Sequence, residues 1–173
     1  MFNLINLTSL SYAPHAKIYV LNLPSLMMLD WDVETLPGHQ TAECCTITSR
    51  EEVIEILDEF CKTHPQYLFD VQETPGGVRA FELSREWDAS SREAVEFHTN
   101  LRVDPLYTRL SSHIGKYRAR VSPKPARVGD YVALDWCVIG TGDANRRCLK
   151  QLEEYKATVR KMRSAMLCAV GAI

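Results

Sequence analysis

The chain has 173 residues, 46% hydrophobic and 24% charged, with a formal net charge of −2. That size and balance describe one globular domain able to bury a sizeable core; they exclude a disordered chain and a general nucleic-acid-coating protein, though not a local basic groove. The six cysteines, Cys44, Cys45, Cys61, Cys137, Cys148 and Cys168, include no C-x-x-C pair, so neither a zinc site nor a disulfide scaffold is expected, and free thiols in a reducing cytoplasm are the default.

Residues 1–15 read as an N-terminal extension of a single domain spanning 1–173. Met1 to Tyr12 lacks a positively charged start and is a poor signal peptide. No apolar run approaches the roughly 20 residues that span a bilayer, so no membrane partner is expected. Ala16 to Leu23 is rich in strand formers, and Pro24-Ser25 breaks it. The next strand carries Leu26-Met27-Met28-Leu29 into Asp30-Trp31-Asp32. Side chains alternate along a strand, so Met28, Asp30 and Asp32 share one face, and Met27, Leu29, Trp31 and Val33 share the other. The two carboxylates then lie about 7 Å apart along the strand. They are either exposed acids at a strand end or ligands of a hard cation such as Mg²⁺ or Mn²⁺.

Residues 35–48, with Pro37-Gly38, read mainly as loop. Thr48 or Ser49 opens a helix whose first turn holds Glu51 and Glu52 and whose apolar face is Val53, Ile54, Ile56, Leu57 and Phe60, ending near His64-Pro65. Tyr67 to Glu73 and Val78 to Leu83 form a hairpin around Thr74-Pro75-Gly76-Gly77. Gly76 and Gly77 either serve the turn or let backbone N–H groups meet an anion. A second helix starts near Ser90-Ser91, and Asp104-Pro105 interrupts it or begins another.

Tyr117 to Val121 is a further strand. Arg118, Arg120 and Ser122 share one of its faces, Lys124 continues that face if the chain stays extended, and Arg127 follows. These groups either bind the phosphates of a nucleotide or nucleic acid or protect a sheet edge. In Tyr131 to Val138, Val132, Leu134, Trp136 and Val138 make an apolar face, with Asp135 on the other. An acid in such a strand is costly unless paired, exposed or bound to metal. Residues 146–168 form a long amphipathic helix. The order, roughly ββαββαββα, predicts an α+β fold with a mixed or antiparallel sheet, and its middle has the split β-α-β plan of ferredoxin-like and RNA-recognition folds.

A D-x-D on a strand, a glycine-containing turn leading into a strand, and a hydrophobic-Asp on a later strand resemble the motif order of the archaeo-eukaryotic primases, a superfamily that includes primase-polymerases. Thr74 to Phe81 is similar to its second motif. The resemblance implies a metal-dependent nucleotidyltransferase of DNA replication. Asp30, Asp32 and Asp135 would be catalytic acids holding Mg²⁺ or Mn²⁺. A nucleoside triphosphate and a DNA or RNA template would be its partners, and a replication protein could join them. The family's second motif ends in a histidine that contacts the nucleotide; Arg79 stands there in this chain. Arginine binds phosphate bidentately but does not titrate near pH 7. Gly76, Gly77, Arg79, Arg118, Arg120, Ser122, Lys124 and Arg127 are the candidate nucleotide contacts, the last five read from residue type and strand face and not carried over from a family motif.

Two other readings fit the same residues. One is a catalytically inactive nucleotide- or nucleic-acid-binding module on the same fold, with Arg79 marking the lost activity. The other is a protein-interaction domain in which the long C-terminal helix meets a partner.

Overall fold

The computed structural model describes residues 10–13, 18–33, 47–122 and 133–170. Among them the elements run β1 (Leu10–Ala13), β2 (Ile18–Leu23), β3 (Met28–Asp32), α1 (Arg50–Thr63), β4 (Leu68–Thr74), β5 (Gly77–Glu82), α2 (Arg92–Asn100), α3 (Pro105–Ile114), β6 (Tyr117–Arg120), β7 (Ala133–Gly140) and α4 (Arg146–Val170). Helices and antiparallel sheets together make an α+β protein. Among the described residues no helix is long and apolar enough to cross a membrane.

The helix ends follow from local chemistry. Ser49 caps α1 by accepting from the Glu52 N–H, and Glu52 reaches back to Thr48 at 2.7 and 2.9 Å. Ser91 caps α2. Asp104-Pro105 starts a separate helix: Asp104 accepts from the Leu106 N–H and Pro105 occupies the first turn, where its missing N–H costs nothing. Gly115, at φ 69°, ends α3 in the left-handed conformation that glycine adopts without strain.

Two sheets form. The smaller has the order β1-β2-β6 and the larger β3-β5-β4-β7, and every pair is antiparallel. β3 and β4 run parallel to each other with β5 between them and α1 in the connection, so the expected split β-α-β unit is present. The complete ferredoxin-like arrangement is not. There the last strand pairs with the first; here β7 pairs with β4, at the opposite edge from β3.

One face of the larger sheet carries Leu29, Trp31, Val78, Ala80, Phe69 and Val71, all buried. The buried residues of α1, Val53, Leu57 and Cys61, belong to the same core, and Phe97 of α2 packs on Phe69. The Trp31 indole N–H donates to the Leu101 carbonyl at 3.0 Å. The other face carries Met28, Asp30, Phe81, Arg79, Asp70 and Gln72, and α4 covers it, with Tyr155 against Phe81. Cys148, Leu152, Tyr155 and Val159 of α4 are buried in the core. Of the apolar stripe in the interaction-domain reading, Leu152, Tyr155 and Val159 are thus used within the chain, while Leu149 is 39% exposed.

Three expectations need correction. Residues 10–13 are not part of an extension but a strand paired with β2, held in part by Asn22 donating to the Ser11 hydroxyl. The face of the D-x-D strand that carries Asp30 is partly covered by α4, which leaves Asp30 28% exposed and only Asp32, at the strand end, open to solvent. On β7 the face carrying Trp136 and Val138 points outward, at 37% and 63% exposure, while Ile139 is buried opposite Phe69. Val138 lies opposite Asp70, where α4 covers the inner strand and leaves the edge strand bare.

Candidate functional site

Asp30 and Arg79 are directly opposite on β3 and β5 and point to the same face. The Arg79 Nε donates to Asp30 Oδ1 at 3.1 Å. Arg79 also donates from Nη1 to the Tyr155 hydroxyl at 3.0 Å and approaches the Arg120 carbonyl at 3.5 Å. Its side chain is 5% exposed, against 28% for Asp30. Burial opposes the charge on Arg79, but Asp30 and Tyr155 outweigh it and hold the guanidinium above its ordinary range.

The polar row continues across the sheet. Gln72 of β4 lies opposite Arg79 and donates to Asp70 Oδ1 at 3.1 Å. Asp70 Oδ2 accepts from Lys156 of α4 at 2.7 Å, and both side chains are buried. Gln72 Oε1 is buried with no hydrogen-bond partner among the described residues. Consecutive residues Tyr155 and Lys156 thus reach Arg79 and Asp70 from above the sheet.

Asp32 is exposed and lies opposite Gly77 on the same face as Asp30. Gly76 accepts from the Val33 N–H at 2.9 Å. A Cβ on Gly77 would stand 1.9 Å from the Trp31 carbonyl oxygen. The glycine is required by the close approach of β3, which is the turn-serving alternative of the sequence reading.

β6 lies alongside β3 where the two sheets meet. Arg118 and Arg120 share a face opposite the buried Tyr117 and Ala119, and both are half-buried. Burial depresses the Arg120 pKa first and the neighbouring Arg79 charge second, with Asp30 and Asp32 opposing. Arg118 Nε is buried with no partner among the described residues. Ser122 accepts from the Tyr19 N–H at 2.8 Å, so it ties the small sheet together. Lys124 and Arg127 lie outside the described residues, as does the side chain of Asp135.

The expected metal site is not assembled. Asp30 and Asp32 are on β3 and Asp135 is on β7, the two opposite edges of a four-stranded sheet. Three strand spacings separate them by about 14 Å, whereas paired catalytic metals sit roughly 4 Å apart and share ligands. Asp30 is already the counter-ion of a buried guanidinium. Among the described residues no group of three or more His, Cys, Asp or Glu side chains could hold a metal. The residues present do not fit the Mg²⁺ or Mn²⁺ pair.

Tyr155, Lys156, Asp70 and Gln72 were not singled out from the sequence. The signal for the strand pair was there: Asp70 and Gln72 alternate with Phe69 and Val71 in a strand whose faces are both buried. Lys156 beside Tyr155 on the apolar side of a helix was the other half of it.

The fold and site define an α+β protein built around a polar row buried between a sheet and its last helix. No protein-family model, no curated protein and no solved structure matches the chain.

Proposed function

We propose that this protein is a non-catalytic module that binds phosphate groups of a nucleotide or nucleic acid, with Arg118 and Arg120 as its contacts. The observation that carries the reading is the Arg79–Asp30 pair: the acid that a metal would need is spent on a buried cation. Next to it, β6 holds two arginines on one half-buried face, and Arg118 keeps an unpartnered donor among the described residues. Guanidinium forks match phosphate oxygens bidentately, and partial burial strengthens such contacts.

The test is calorimetric titration with a nucleoside triphosphate, with and without Mn²⁺, and fluorescence anisotropy with a labelled single-stranded oligonucleotide. The expected result is metal-independent binding, unchanged in Asp32→Asn and weakened about tenfold in Arg118→Gln or Arg120→Gln. Absence of binding to both ligands would overturn the reading.

A nucleotidyltransferase of the primase-polymerase kind is the second reading. Its supporting observation is Asp32, exposed on the face of Asp30 beside the Gly76-Gly77 turn. It requires Arg79 to release Asp30. Mn²⁺-dependent primer extension that disappears in Asp32→Asn would establish it.

A further inference from the structure

The connection between α2 and α3 is short, and within it Arg102 adopts φ 57°, alone among the non-glycine described residues in taking a left-handed backbone. The Val103 N–H donates to the His98 carbonyl and the Asp104 N–H to the Asp30 carbonyl, which fixes the connection against β3. Between the two helices lies an open groove of about 690 Å³, within the size range of small-ligand sites.

Arg109, Ser112 and His113 all line this groove. They stand at i, i+3 and i+4 of α3, on one helical face. None of the three side chains has a hydrogen-bond or ion-pair partner among the described residues. The other polar groups of the lining are committed. Arg102 pairs with Glu52 at 2.8 Å, the Thr108 hydroxyl donates to the Asp104 carbonyl, and the Thr99 hydroxyl donates to the Val95 carbonyl. No described carboxylate lines the groove, and Val95 and Val103 give it an apolar wall.

The geometry points to a binding site for a small organic phosphate in this groove. Arg109, the His113 ring N–H and the Ser112 hydroxyl donate to the phosphate oxygens, and the organic body lies against Val95 and Val103. Three donors on one turn match the terminal oxygens of a phosphomonoester better than the two of a carboxylate. The inference uses no residue of β6 and stands apart from the reading of Arg118 and Arg120.

The full chain, titrated calorimetrically with phenyl phosphate and with benzoate, tests it. Phenyl phosphate should bind saturably, at least tenfold tighter than benzoate. Arg109→Gln should weaken it at least tenfold, while the exposed Arg147→Gln leaves it unchanged. Melting temperatures equal to wild type show that these surface variants are folded. Absence of saturable binding, or equal affinity in Arg109→Gln, would overturn the site; equal affinity for benzoate would overturn its assignment to phosphate.

Discussion

Asp70 of β4 and Lys156 of α4 meet at 2.7 Å in the interior, from 86 positions apart in the chain. Each is the other's compensation for leaving water. A buried pair need not add net stability, yet removing one partner strands the other charge.

Lys156→Met should therefore destabilise the protein by about 3–5 kcal/mol. Gln72, which donates to the same carboxylate, offsets only part of the loss. Adding Asp70→Asn to Lys156→Met should recover most of the stability. Urea unfolding followed by circular dichroism checks both steps. A single variant as stable as wild type would show that the pair is not buried as described.

Asp30 and Asp32 should behave differently although they share a strand and a face. Asp30→Asn leaves Arg79 buried with a weaker partner, and because Asp30 is partly exposed the cost should fall at or below the low end for fully buried pairs, about 2–3 kcal/mol. Asp32→Asn, at an exposed position, should change stability by less than about 0.5 kcal/mol. Denaturant midpoints of the two variants, measured side by side, decide the matter. Equal midpoints would remove Asp30 from its anchoring role.

His98 supplies a pH dependence. It is buried against Tyr107 and Tyr117, and burial pulls its pKa down from 6.5 to about 4. The Thr108 hydroxyl already donates to the Asp104 carbonyl, so it accepts from the His98 Nδ1–H at 3.1 Å, leaving the buried Nε2 without a partner among the described residues. The unfolded chain takes up this proton near pH 6.5 and the folded chain only near pH 4. The stabilising contribution is thus complete above the unfolded value and is lost as pH falls between the two. The total is on the order of 3 kcal/mol. Chemical denaturation of wild type and His98→Gln from pH 4 to 8 should show a difference that shrinks towards acid. Parallel curves would contradict it.

Local structure was legible where its cause is local. Ser49 and Glu52 announce α1, Asp104-Pro105 announces α3, and Pro75-Gly76 closes the hairpin, because each acts within four residues of itself. β1 has no such mark; it is a strand because β2 offers it a ladder. The site was less legible for the same reason. Asp30, Asp32 and Asp135 look convergent along the chain because all sit on strands. Strand order is set by long-range pairing, and it puts β3 and β7 at opposite edges. The partner of Asp30 was equally hidden: Arg79 stood where a nucleotide contact was expected, and only the β3–β5 register reveals that it faces Asp30.

α4 has a consequence for how the chain comes to be folded at all. Asp70 and Arg79 are synthesised well before Tyr155 and Lys156, their partners from α4. Until that helix has emerged from the ribosome, closing the sheet would trap an aspartate with no counter-charge. Docking of α4 is then the step that commits the sheet, and a nascent chain halted before Arg146 should remain accessible to protease across β4 and β5.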